Sequence, residues 1–153
     1  MTRRWVVAHD GTPESEGVVA VAARHARLHG VGLLLVHAVS HERLHDDLDW
    51  SDGASAPLTF EEYAAGADTE AELSLRASSA AALARANGLS VEVLVVPGEP
   101  ADAILAVAGR PEIERVVMGT HARRGLRHLV LGSVAERVIA KATVPVLVVP
   151  PRV

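Results

Sequence analysis

The chain predicts an α/β domain built on a parallel sheet with helices on both faces. Three observations carry this. Short apolar runs alternate with amphipathic segments of crossover length in the order βαβαβαβαβ. The second run, Val31 to Val39, is almost continuously apolar, as expected of a strand covered on both sides. Apolar runs also end at glycine or turn residues that open the next segment.

The elements follow in order. Trp5 to His9 is the first strand and stops at Asp10-Gly11-Thr12-Pro13, where Thr12 suits a helix N-cap and Pro13 the first helical position. Apolar positions Val18, Val21, Ala22, Ala26 and Leu28 predict a helix over Glu14 to His29, closed near Gly30. Ser40 to Pro57 has no period and collects His, Asp, Gly and Ser, so a surface loop is expected. Thr59 to Asn87 is rich in helix formers and ends at Asn87-Gly88. Val91 to Val96 is the third strand, ending at Pro97-Gly98-Glu99-Pro100. A short helix over Ala101 to Ala108, a strand over Arg115 to Met118, a last helix over Ser133 to Lys141 and a last strand over Val144 to Val149 complete the chain.

With 153 residues the chain is read as one domain, residues 1–153. Aromatic residues make up only 3% of it, so Val, Leu and Ala must build the core and helices can approach the sheet closely. The formal net charge of -4 argues against a general affinity for nucleic acid, which needs a basic face. No cysteine is present, which excludes a disulfide framework and a thiolate zinc site. The absence of a signal-peptide pattern and of a membrane-length apolar run makes a cytoplasmic location the expectation.

In a parallel sheet of this kind ligands lie beyond the carboxyl ends of the strands, where strand order reverses. The residues expected there include Asp10, Ala38, Gly98 and Gly119. Val116 to Val134 adds an apolar run stopping at Gly119, a basic loop with Arg123, Arg124, Arg127 and Gly125, and Gly132-Ser133 opening a helix. The first N–H groups of a helix lack intrahelical acceptors and suit phosphate. A helix terminus alone contributes only about 0.3–2 kcal/mol toward an anion, so several amides and an arginine would have to act together. Ser133 and Glu136 also match a capping box, an alternative that needs no ligand.

Residues 118–139, MGTHARRGLRHLVLGSVAERVI, and the ending VPVLVVP closely resemble the universal stress protein family. The opening VVAHDGT, the second-strand LLLVHAV and the loop VVPGEP do so as well. The resemblance covers essentially the whole chain. It implies a Rossmann-like fold of the adenine nucleotide alpha hydrolase type, five parallel strands in the order 3-2-1-4-5, and usually a dimer. One branch of the family binds ATP and another lacks the nucleotide loop. The ATP-binding branch resembles GxxGx9G(S/T), which falls on Gly119, Ala122, Gly132 and Ser133, with alanine in place of the second glycine. A left-handed backbone there would penalise alanine by roughly 1–2 kcal/mol.

Carried over residue by residue, the resemblance implies that Ala8 and His9 line a base pocket and that Asp10 lies near the ribose or a metal. It places the Ala38 backbone at the adenine and makes Met118, Gly119, Gly132, Ser133 and Val134 a cradle for ribose and phosphates. Gly98 and Arg123 complete the candidate set. Asp10 has an ordinary alternative as a turn former beside Gly11.

The implied cofactor is ATP, alone or with magnesium, and the implied role is a dimeric, nucleotide-dependent stress-response regulator. Two further readings stay open: a nucleotide-independent adaptor of the same fold, and a slow ATPase. The chain lacks a Walker A loop, its only lysine is Lys141, and no base for water is evident, so at most weak hydrolysis is expected. Val144 to Val149 would be an apolar edge strand that a second copy could cover, which predicts a homodimer. His25 and His29 have helical i, i+4 spacing but read as a solvated face. His41, His45, Asp46, Asp47 and Asp49 read as a solvated loop. Trp50 and Phe60 could cover a ligand or pack that loop.

Overall fold

The computed structural model describes residues 2–39, 85, 88–120 and 131–150. Five parallel strands form one sheet in the order β3-β2-β1-β4-β5, with β1 at Arg4–Ala8, β2 at Gly32–Val39, β3 at Val91–Pro97, β4 at Ile113–Gly119 and β5 at Val146–Val149. Three described helices cover it: α1, Pro13–His29; α2, Pro100–Ala108; and α3, Ser133–Lys141. The expected order 3-2-1-4-5 is the one observed, and strand order reverses at β1, between β2 and β4.

Alternation along the strands sends odd and even residues to opposite faces. Trp5, Val7, Leu33, Leu35 and Val117 pack under α1 against Val18, Val19, Ala22, Ala23 and Ala26. Val6, Leu34, Val36, Val116 and Met118 pack on the other face against Ala101, Ile104 and Val107 of α2 and Ala135 and Val138 of α3. Three buried alanines on α1 let that helix lie close to the sheet, as the scarcity of aromatic residues requires.

Several boundaries differ from the sequence reading. β4 begins at Ile113 rather than Arg115, and β5 begins at Val146 because Pro145 precedes it. A proline lacks the N–H a ladder needs. α2 starts at Pro100, a favoured first-turn position. Leu28, counted on the apolar face of α1, is 79% exposed. It lies in the last turn, where the buried face has already ended at Ala26. Thr12 does cap α1, and Gly30 closes it in the left-handed conformation.

The amino end of the sheet carries structural polar contacts. Gly32 lies between Arg4 and Ser90, where a β-carbon would stand 3.1 Å from the Ser90 carbonyl oxygen and 3.7 Å from Arg4 Cγ. The bare backbone lets the Arg4 guanidinium reach across β2 to Glu92 on β3, donating through Nη2 to Oε1 at 2.7 Å and through Nη1 to Oε2. The Arg115 guanidinium lies 4.4 Å above the ring of buried Trp5, a cation–π contact. These groups occupy the edge opposite the carboxyl ends of the strands.

Candidate functional site

The parallel register brings the ends of β1, β2, β3 and β4 to one edge. Ala8 pairs with Val36, Ala38 with Val96, and Gly119 with Val149. Ala8 ends β1, and the His9 N–H extends its ladder by donating to the Val36 carbonyl at 2.9 Å. Asp10 then stands exposed beyond the strand. Gly98 follows β3 at φ 120°, a conformation other residues rarely adopt. The edge therefore gathers Asp10, Ala38, Gly98 and Gly119, the four positions expected there from the topology, together with Ala8 and His9.

Three side chains set the β1–α1 turn. The Asp10 Oδ1 accepts from the Thr12 N–H at 3.0 Å and from the Thr12 hydroxyl at 2.6 Å. Thr12 Oγ1 in turn accepts from the Ser15 N–H at 3.3 Å, and the Ser15 hydroxyl donates to the Thr12 carbonyl at 2.8 Å. Gly11 sits between them at φ 82°, which is why glycine follows the aspartate. Asp10 thus has the turn-forming role that needs no ligand. That role engages Oδ1 and orients the carboxylate.

Two histidines complete the turn. His9 is buried, and its Nδ1 accepts from the Gly11 N–H at 3.2 Å, which places the ring proton on Nε2. His37 Nδ1 lies 2.8 Å from the His9 carbonyl oxygen; because a carbonyl only accepts, this nitrogen donates. Burial, and secondarily His37, hold the His9 imidazole below its ordinary value of 6.5, against the opposing pull of Asp10 and Glu16. The neutral ring is the form that can accept from Gly11.

A pH dependence follows. A histidine whose value is lowered on folding binds its proton more readily in the unfolded chain. Its contribution is intact above about 6.5 and is lost as pH falls through the interval down to the folded value. His9→Asn keeps an acceptor near the Nδ1 position but does not titrate. Denaturant unfolding from pH 8 to 5 should show wild type losing stability by up to about 1.4 kcal/mol per pH unit relative to that variant. Parallel curves for the two proteins would contradict the assignment.

Among the described residues, two buried side-chain atoms have no hydrogen-bond partner, His9 Nε2 and Thr120 Oγ1. They follow directly on the ends of β1 and β4, adjacent strands at the point where order reverses. An unpaired buried polar atom is normally penalised by about 1–3 kcal/mol, so its occurrence at both strand tips marks this edge as a place suited to a hydrogen-bonding guest. Thr120 was not among the residues singled out from sequence. Its one available signal was a hydroxyl directly after a strand-ending glycine. His37 was missed too, although a histidine in an otherwise apolar strand run is an exception to expect a reason for.

The last helix corrects one expectation. Ser133 and Glu136 do not form a capping box: the N-cap is Gly132, without a side-chain hydrogen bond, and Ser133 is the first helical residue. The Glu136 N–H donates to the Gly132 carbonyl at 3.0 Å, so the helix starts one residue earlier than a capping serine requires. Its first amides consequently lack a side-chain acceptor from the cap. Met118 is buried and Val134 packs against the same core, so either could meet a ligand only through its backbone. Gly119 abuts α1, since a β-carbon there would lie 3.0 Å from Val18 Cγ2. Ala122, Arg123, Arg124, Gly125 and Arg127 lie outside the described residues, as do the His41 to Asp49 cluster, Trp50 and Phe60. His29 stacks obliquely on Trp5 at 5.2 Å between ring centres.

Fold and edge together define a Rossmann-like α/β protein with its candidate site at the switch point. Residues 1–150 match the description of the Universal stress protein family, and the chain belongs to that family. A universal stress protein of Thermus aquaticus is 34% identical over 149 residues, covering 97% of this chain and 99% of the relative. One from Mycobacterium tuberculosis is 36% identical over 143 residues, covering 94% of this chain. This chain spans only 44% of that mycobacterial relative's length. Among solved structures, a universal stress protein from Archaeoglobus fulgidus in complex with dAMP is 25% identical with a TM-score of 0.63, over 97% of each chain. No helix among the described residues is long and apolar enough to cross a membrane.

Proposed function

We propose that this protein binds an adenine nucleotide, ATP by preference, at the carboxyl edge of β1 and β4, and acts as a dimeric nucleotide-dependent regulator in the stress response. The observation that carries the reading is the glycine-capped start of α3, separated from Gly119 by the spacing of the family's nucleotide loop. The paired orphan polar atoms at the two strand tips support it, as does the dAMP bound by the Archaeoglobus relative. Ala8, His9 and Ala38 would face the base, and the backbone of Met118, Gly119, Gly132, Ser133 and Val134 the ribose and phosphates, with Ala122 and Arg123 in the loop. Asp10 is a single carboxylate, and among the described residues no group of three or more His, Cys, Asp or Glu side chains could hold a metal. Magnesium would therefore arrive with the triphosphate, whose oxygens complete its shell.

Calorimetry with ATP and magnesium at protein concentrations of about 100 μM tests the reading. Saturable heat is expected, and Ala122→Gly should tighten binding by up to about tenfold if alanine strains the loop. Heat from neither protein would favour the nucleotide-independent adaptor. Phosphate release in steady state separates binding from slow hydrolysis.

The dimer rests on β5, which lies at the end of the sheet with Val146 to Val149 each half-buried. Pairing of two such edges would cover them. Light scattering at micromolar concentration should give twice the chain mass; a single-chain mass would remove the dimer.

A further inference from the structure

We infer that His37, on β2, is a positioning residue for the candidate site: it fixes the β1–α1 turn, and through it Asp10, by holding the His9 carbonyl. This rests on the nucleotide reading for its functional consequence, while its structural part stands on hydrogen bonds alone.

The register explains why the contact exists. β1 and β2 run parallel, with Ala8 opposite Val36, and the last backbone bond between them runs from the His9 N–H to the Val36 carbonyl. β1 has ended by then, so the His9 carbonyl is beyond the regular ladder with β2. The His37 Nδ1–H reaches it at 2.8 Å. A side chain thereby takes over where the sheet's own pairing stops.

Everything downstream hangs from that point. The residue whose carbonyl is held also accepts, through its ring, from Gly11, at 3.2 Å. Asp10, between them, accepts from Thr12, and Thr12 accepts from Ser15 in the first turn of α1. The chain of donors and acceptors runs from β2 to α1 and passes through the carboxylate at the strand tip. Hydrogen bonds of modest individual strength suffice to keep a short turn in one conformation, because the strand before it and the helix after it are already fixed. Releasing the His9 carbonyl loosens the segment from β2 just beyond the end of the ladder.

The full-length protein with His37→Leu or His37→Asn tests this. Leucine occupies a similar volume without a donor, and asparagine places an amide N–H near the position of Nδ1–H. Amide hydrogen exchange at Gly11 and Thr12, followed by NMR without nucleotide, reads the turn. Calorimetry with ATP reads the site. His37→Leu should speed exchange at Gly11 and Thr12 by about tenfold and leave Val7 and Leu35 within about twofold. Partners that orient ligand-contacting groups in metal sites are worth about 10–100-fold in affinity, and a loss of about tenfold for ATP is expected by the same reasoning. His37→Asn should restore both readouts to within about threefold of wild type.

Unchanged exchange at Gly11 and Thr12 in His37→Leu overturns the inference. So does exchange that rises equally at Val7 and Leu35, which would show general loosening, or a failure of asparagine to restore either readout. A wild-type protein that gives no heat with ATP sinks the nucleotide reading instead, while the exchange data still decide whether His37 holds the turn.

Discussion

Gly119→Ala is expected to lower stability by about 1–3 kcal/mol, the range for forcing an extra carbon into a packed core. The new methyl would stand 3.0 Å from Val18 Cγ2, and Val18 is only 5% exposed. Valine in a helix keeps essentially one rotamer, so it cannot swing aside, and α1 must move away from β4. Val18→Ala alone should also destabilise, by about 2 kcal/mol, because it leaves a cavity. The two changes compensate each other in volume. The double variant should therefore be more stable than the sum of the singles predicts by about 1 kcal/mol or more, measured by urea unfolding in a double-mutant cycle. Strict additivity would show that Val18 is not what limits residue 119. The consequence reaches the site, because α1 begins at the turn that carries Asp10. A glycine that looks reserved for phosphate approach is first of all a place where a helix touches a strand.

That case shows what a sequence can and cannot convey here. Local signals worked where the cause was local. Thr12 and Pro13 announced the start of α1, Gly30 its end, and the apolar runs gave parallel strands whose carboxyl ends face one edge. Signals that depend on one residue more or less were weaker. A serine three positions before a glutamate resembles a capping box, yet the helix begins one residue earlier and leaves Ser133 exposed in its first turn. Leu28 fitted the helical period but lies past the part of α1 that the sheet covers. Long-range contacts left no local trace. His37 meets His9 across 28 positions only because β1 and β2 pair in one register, and nothing in the residues around either histidine encodes that register. The same holds for Gly119 and Val18, which meet through the packing of α1 on β4. The family resemblance supplied the candidate ligand roles; the geometry supplied the turn that holds Asp10 and the two orphan atoms.

Substitutions at Asp10 separate those roles most sharply. Asp10→Ala removes the acceptor for the Thr12 N–H and hydroxyl and with it part of the support for the helix cap. A stability loss of about 1–2 kcal/mol is expected. Asp10→Asn retains an oxygen acceptor in the same place, so its stability should stay within about 0.5 kcal/mol of wild type. The two variants then differ from wild type in distinct ways at the ligand. A carboxylate near a triphosphate repels it in the absence of a cation and attracts it once magnesium lies between them. If Asp10 faces the metal, Asp10→Asn should weaken binding of magnesium-ATP by about tenfold or more and leave binding of ATP in chelator unchanged or tighter. If Asp10 instead accepts from the ribose hydroxyls, the loss should be similar with and without magnesium, because a sugar contact does not sense the ion. Calorimetry of each variant in both conditions distinguishes these outcomes. Affinity equal to wild type in Asp10→Ala under both conditions would leave Asp10 as a turn former alone, its carboxylate engaged with Thr12 and its charge without a part in recognition.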